Sequence, residues 1–269
     1  MDVLVDSHCH LNLNLFENDL PEVLDRAIQR DVARILVPGV DLESSRRAVQ
    51  LSKEYPILSA AVGIHPNDAA TWNEDSLSEL KELALKPGVV AIGEIGLDYY
   101  RDSSPRHLQM EIFLAQLSLA KEVQKPVIIH SRQSLQDLWQ ILLSWQQELV
   151  GDQIGIASHP GVLHSYEGDL DTALQAISFG FFIGVSGPVT FQNAMDRQAV
   201  VSRLPLENIL IETDAPYLTP SPFRGRRNEP GYVVYVAEKI AELKKITFSE
   251  TAAITTHNAN RFFGWRADD

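Results

Sequence analysis

Apolar and polar positions along this 269-residue chain follow two rhythms in turn. Short, nearly continuous apolar runs mark strands buried on both faces. They fall at Val3–Asp6, Arg34–Val37, Leu58–Gly63, Val89–Gly93, Val127–His130, Gly161–His164, Phe181–Val185 and Asn208–Glu212. Between them the apolar residues recur at three- and four-residue spacing, which predicts amphipathic helices. These cover Asp19–Arg30, Leu42–Glu54, Ser76–Lys86, Pro105–Gln124, Ser134–Glu148, Asp169–Phe179 and, more weakly, Asn193–Arg203. Pro230–Leu243 and Ser249–Phe262 follow the last strand. Ser76 with Glu79, and more loosely Ser249 with Glu250, resemble capping boxes. The sixth strand is the least defined, with Ile154 and Gly161 as alternative starts.

Strand–helix alternation of this kind predicts an α/β fold with a parallel sheet. At this length, closure into a (β/α)8 TIM-type barrel is the most economical arrangement, and a doubly wound open sheet is the alternative. No linker, low-complexity tract or internal repeat divides the chain, so residues 1–269 are expected to form a single domain.

Composition narrows the setting. Hydrophobic residues at 45% and charged residues at 22% are those of a soluble globular protein. No segment approaches the roughly 18 consecutive apolar residues of a membrane span. The chain opens directly on a strand with an acidic second residue, and its single cysteine fits a reducing compartment, so a cytoplasmic location is expected. A net charge of −13 argues against broad attraction to nucleic acid, though not against a local grip on one or two phosphates.

The candidate chemistry lies where the apolar runs end. In "VLVDSHCH", His8 and His10 share one strand face and Cys9 points away, which suits a packed thiol better than a ligand. "VVAIGEIGLD" delivers Glu94, "VIIHSR" His130, "GVLHSY" His164 and "ILIETDAP" Asp214. In a parallel barrel every strand's C-terminal end opens on one face, so these six ligand-type side chains are expected at a single mouth. Six exceed the three or four of one catalytic zinc and fit two ions bridged by a carboxylate. Glu94 is the natural bridge, with His8, His10 and Asp214 on one ion and His130 and His164 on the other. The mixed nitrogen and oxygen set suits Zn2+ or Mn2+, while Mg2+ would keep more water. His159 competes with His164, which ends the clearer apolar run; His107 and His257 lie in helical stretches and suit structural or surface roles.

These residues sit in motifs that resemble a known family, the TatD-related metal-dependent deoxyribonucleases of the amidohydrolase-like barrel superfamily. The similar segments span nearly the whole chain: "LVDSHCHLN", "AVGIHP", "VVAIGEIGLDYY", "KPVIIHSR", "GVLHSYEGD", "FIGVSGPVTF", "ILIETDAPYL" and "FRGRRNEP". The resemblance implies a somewhat distorted (β/α)8 barrel that hydrolyses DNA phosphodiesters with two divalent ions, Mg2+, Mn2+ or Zn2+. His8, His10, Glu94, His130, His164 and Asp214 match the family's metal positions. His65 and Arg132 match positions expected to hold substrate phosphate or to steady a ligand, and Arg227 lies in a family signature. The chain departs from the pattern at Gln133–Gln136, at Glu167, where a small residue is usual, and in an insertion carrying His159.

The expected reaction is attack of an activated water on phosphorus, with Glu94 and Asp214 as the catalytic carboxylates and Asp214 as general base. Arg132 suits a non-bridging phosphate oxygen or an ion pair that holds a carboxylate. Arg224, Arg226 and Arg227 suit a DNA backbone or a solvated loop, and Tyr99, Tyr100, Tyr217 and Phe223 suit base stacking or packing. The expected substrate is single-stranded or frayed DNA, degraded as by a 3′→5′ exonuclease or DNase, with no membrane and no obligate protein partner. The rival reading is a metal-dependent hydrolase of a small amide, lactone or ester. Many such relatives bridge their metals with a carbamylated lysine on the fourth strand, where this chain has Glu94. A non-enzymatic metal-binding protein is the other rival, and the intact set with Asp214 speaks against it.

Overall fold

Eight short strands carry the buried aliphatic runs, and a computed structural model describes them within residues 2–101 and 103–265. They are β1 (Leu4–Asp6), β2 (Val32–Pro38), β3 (Leu58–Val62), β4 (Val89–Asp98), β5 (Val127–Arg132), β6 (Gly161–Leu163), β7 (Phe182–Val185) and β8 (Ile209–Ile211). The helices between and after them are α1 (Leu20–Ile28), α2 (Leu42–Glu54), α3 (Ser76–Ala84), α4 (Arg106–Val123), α5 (Leu135–Gly151), α6 (Leu170–Ser178), α7 (Met195–Arg203), α8 (Val233–Lys244) and α9 (Phe248–Phe263). The strands form one sheet in chain order from β1 to β8. Among the described residues, no helix is long and apolar enough to cross a membrane.

Two compact units share the chain. One takes the chain up to Val37, Ser165–Gln175 and the stretch from Ile183 onward; the other takes Pro38–His164 and Ala176–Phe182. In the first, β1 lies parallel to β2 with Val5 opposite Arg34, and β7 parallel to β8 with Gly184 opposite Leu210. The chain after β8 then returns to the chain of β1. Ser7 N donates to Ile211 O at 3.0 Å, Asp214 N to His8 O at 2.9 Å and His10 N to Ala215 O at 2.7 Å. Last strand meets first, so the fold is a nearly closed (β/α)8 TIM-type barrel and not the open doubly wound sheet. Asn258 of α9 ties that helix to the start of β8 by donating to the carbonyls of Leu206 and Ile209 at 2.8 and 2.9 Å.

In the second unit β3, β4, β5 and β6 pair in parallel, with Gly96 opposite His130. Strand β4 runs to Asp98, past the end at Gly93 that its apolar run predicts. Gly96 explains the difference. Its φ is +144°, and an added Cβ would stand 2.0 Å from the carbonyl oxygen of His130, so only glycine lets β4 and β5 stay paired there. Strand β6 begins at Gly161, because Gly155–Ser158 forms a 3-10 turn ahead of it.

Two capping expectations change. The N-cap of α3 is Asp75, Ser76 is its first residue, and Glu79 instead pairs with Arg46 at 2.5 Å. At α9 the capping box is formed by Thr247, two residues before Ser249, with Glu250: Glu250 Oε2 accepts from Thr247 N at 2.9 Å, and Thr247 Oγ1 accepts from Glu250 N at 3.1 Å. Asp41 and Ser44 make the same reciprocal cap on α2.

Candidate metal centre and active site

In the first unit the ligand-type residues follow directly from strand ends. His8 and His10 lie on the extended chain just after β1, and alternation puts both rings on one side. Their Nε2 atoms are 3.1 Å apart. Asp214, three residues beyond β8, has its Oδ1 3.4 Å from His10 Nε2 and 3.8 Å from His8 Nε2. It reaches them from a left-handed backbone, φ +58°, that a non-glycine residue adopts only where its surroundings hold it. Those surroundings are Thr213 and Asp6, both buried. Asp6 Oδ1 accepts from Thr213 N at 2.9 Å, and Asp6 Oδ2 accepts from Thr213 Oγ1 at 2.5 Å. From the other side Asn228 Nδ2 donates to Thr213 O at 2.9 Å and Tyr217 O at 2.6 Å. Burial pushes the Asp6 carboxyl up to about 8, against the pull of its bonds from Thr213.

Cys9 sits on the opposite side of that strand, fully buried, in a parallel bridge to Ala215. Burial pushes its thiol well above the usual value, so it is a packed thiol and not a thiolate donor.

In the second unit the residues gather on Glu94. Its Oε1 lies 2.9 Å from His130 Nδ1, 3.7 Å from His65 Nε2 and 3.9 Å from His164 Nε2. Glu94 stands inside β4 and not at its end, because the strand continues to Asp98. His65 Nδ1 accepts from Asn67 N at 3.1 Å, and its Nε2 is turned towards Glu94. His164 follows β6, whereas His159 precedes that strand and packs its ring edge-on to Phe182. His164 is therefore the one placed with the ligand-type group.

Asp98 belongs to this group although the apolar runs do not point to it. It is buried, and its Oδ2 lies 3.2 Å from His130 Nε2. Burial opposes its charge, but the bond from His130 and the amides of Arg101 and Tyr100 hold the carboxyl well below its usual range. Burial likewise pushes His130 down, yet Asp98 and Glu94 together outweigh it and raise the imidazole to about 9.

Each set fits a divalent ion on its donor chemistry. The first offers two imidazole nitrogens and a carboxylate oxygen within 3.8 Å of one another. In the second, ligand atoms of His65, Glu94 and His130 all lie within 4.8 Å. Imidazole and carboxylate donors so arranged match a borderline metal such as Zn2+ or Mn2+.

The family model for TatD related DNase matches residues 5–264. The chain belongs to this family. It is similar over 97% of its length to the metal-dependent hydrolase YabD of Bacillus subtilis, at 46% identity and over 99% of that protein. The 3′-5′ ssDNA/RNA exonuclease TatD of Edwardsiella piscicida is 34% identical, with 97% of this chain and 99% of that protein covered. Among solved structures, the TatD homolog YJJV of Escherichia coli K12 superposes with a TM-score of 0.90 at 32% identity, covering 98% and 99% of the two chains. As a TatD-family member the chain is a metal-dependent hydrolase.

The substrate-binding candidates of this TatD-family chain fall in different settings. Arg132 ends β5, half-buried, with its guanidinium 4.5 Å from the ring centre of Tyr100. Arg227 is engaged elsewhere: it donates to both carboxylate oxygens of Asp19, at 2.8 and 2.5 Å, to Leu15 O at 2.7 Å and to Glu229, and it lies over Phe16. Arg224 and Arg226 are exposed, over Phe191 and Phe223. Phe223 itself stacks on Tyr232 at 4.7 Å. Glu167 pairs with Arg197 at 3.0 Å.

Proposed function

We propose that this chain cleaves DNA phosphodiester bonds as a divalent-metal-dependent 3′→5′ exonuclease acting on single-stranded or frayed ends. The observation that carries the reading is the pair of ligand sets, His8/His10/Asp214 and Glu94/His130/His164 with His65, on C-terminal halves or ends of strands. In this fold class those ends share one face. The names of relatives at 34% identity favour nucleic acid as the substrate.

Divalent ions held by these residues would draw electrons from a phosphoryl oxygen and acidify a neighbouring water. The residues themselves have defined tasks. Asp214 Oδ1 takes the proton from the attacking water; its side chain is 14% exposed, against 0% for His8, so water reaches it. Glu94 and Asp98 orient His130 from its two nitrogens. Arg132 holds a non-bridging oxygen of the phosphate. A cytoplasmic setting suits the one reduced, buried cysteine.

The test is a chelator-stripped assay on end-labelled single-stranded DNA with Mg2+, Mn2+ or Zn2+ restored separately. Stepwise loss of 3′ nucleotides that depends on metal is expected, and Asp214→Asn should lower kcat at least a hundredfold with the fold intact. Absence of cleavage with every metal, in folded protein that still binds ions, overturns the reading and favours a small-molecule ester or amide.

A further inference from the structure

The chain carries a net charge of −13, so whatever holds a polyanion must do so locally. At the ends of β4 and β5 basic and aromatic side chains alternate. Tyr99 and Tyr100 follow β4, Arg132 ends β5, and Arg106 opens α4. The two tyrosines are held differently. Tyr99 hydroxyl donates to Asp137 at 3.0 Å and its ring lies 4.1 Å under the Arg106 guanidinium, so it is a fixed part of the wall. Tyr100 is 57% exposed. Its position is nevertheless set. Tyr100 N donates to Asp98 Oδ1 at 2.9 Å, the carboxylate whose other oxygen meets His130. One side of the ring is occupied by Arg132, at 4.5 Å. Arg132 is two residues beyond His130 on the same strand and therefore on the same face, and it is the register partner of Asp98.

We propose that Tyr100 is the platform for one unpaired base of the substrate, stacked on Arg132 and hung from the same carboxylate that orients His130. The proposal rests on the nuclease reading and adds to it the residue that selects single strands. A guanidinium behind the ring leaves the other face for a base and gives the neighbouring phosphate a cation. In a paired duplex the base is already stacked between neighbours and does not meet the ring, so the subsite favours single-stranded nucleic acid or a frayed 3′ end. Stacking tolerates every base, so little sequence preference is expected. Because Tyr100 touches substrate without donating or accepting a proton there, it contributes to binding and positioning.

The experiment uses the metal-loaded protein and two single-stranded oligonucleotides, one ordinary and one with abasic residues at its three 3′ positions. Tyr100→Ala should raise KM for the ordinary strand about tenfold, the lower part of the range for one base–aromatic stack. Tyr100→Phe should restore it to within about twofold, since the ring and not the hydroxyl is at work. On the abasic strand the penalty of Tyr100→Ala should shrink to less than about twofold. Equal penalties on both strands, or no penalty on either, overturn the proposal. Failure of wild-type protein to cleave either strand with any metal is a separate result: it removes the nuclease reading on which the proposal rests.

Discussion

Thr213→Val is the substitution that asks most directly what holds Asp214 in place. Valine has the outline of threonine but puts a methyl where the hydroxyl stands, so what the change removes is that group's hydrogen bonds. That hydroxyl donates to Asp6 Oδ2 at 2.5 Å and accepts from Ala215 N at 3.2 Å, and Asp6, Thr213 and Ala215 are fully buried. Losing the first bond costs about 1 kcal/mol net, and leaving the Ala215 amide buried without an acceptor costs a further ~1–3 kcal/mol. A total of about 2–4 kcal/mol corresponds to a fall of roughly 4–16 °C in Tm for a chain of this size.

Urea unfolding gives the stability change directly, provided the slope with denaturant is unchanged. Activity supplies the second readout. Asp214 keeps its left-handed conformation between Thr213 and the bond from its own amide to His8 O at 2.9 Å. A carboxylate loosened by a fraction of an ångström should lower kcat on single-stranded DNA about tenfold with KM little changed. A stability loss below about 0.5 kcal/mol would refute the assigned hydrogen bonds. A full stability loss with normal kcat would show that the network serves the fold and not the aim of Asp214.

Gly96→Ala should be among the costliest single changes, above about 3 kcal/mol or insoluble, because the new Cβ meets His130 O at 2.0 Å and the φ of +144° suits glycine only; a soluble variant of near-native Tm would contradict the packing described. Arg227→Ala should cost on the order of 1 kcal/mol at neutral pH and should flatten the acid side of the stability profile. The bond from Arg227 holds Asp19 below its usual 3.8, and burial of Glu229 is outweighed by Arg26 and Arg227, which hold it below 4.5. Carboxyls lowered in this way add stability above those values and lose it as pH falls through the lowered ones. The gap between wild type and variant should therefore narrow between pH 5 and pH 2 (to about half or less), and a constant gap would count against the ion pair.

The barrel was legible because each strand is a short apolar run and each helix a longer periodic one, so each predicted strand and helix has its counterpart among the described residues. What the pattern hid depends on single residues. The end of β4 is masked by Gly93 and Gly96, which interrupt the apolar run although the second is there to keep β4 against β5. The α9 cap is hidden by a neighbouring Ser–Glu pair that reads similarly, whereas the geometry takes Thr247. Arg227 lies in a basic loop that reads as a phosphate grip. Its partner Asp19 stands 208 positions away in the chain, a distance over which no local pattern speaks.

The candidate site was legible in its imidazoles and less so in its carboxylates, for a physical reason. A histidine at a strand end is conspicuous, but an acid in an acidic chain is not. Glu94 and Asp98 are two pleats apart and share a face, so period-two reading of "EIGLD" contained the second acid; the break at Gly96 obscured it. Asp6 likewise precedes His8 by one pleat, but it turns to Thr213 and works through the backbone. These acids matter for the chemistry. Asp214 belongs to one set and Glu94 and Asp98 to the other, so each set alone would repel a phosphodiester. Divalent cations there would offset that repulsion as well as supply chemistry, and a protein of net charge −13 can then accept DNA without a basic surface. Specificity for nucleic acid must in that case come from what a bare cation lacks, a ring that meets a base, and Tyr100 against Arg132 is such a ring, held by the same acid, Asp98, that orients His130.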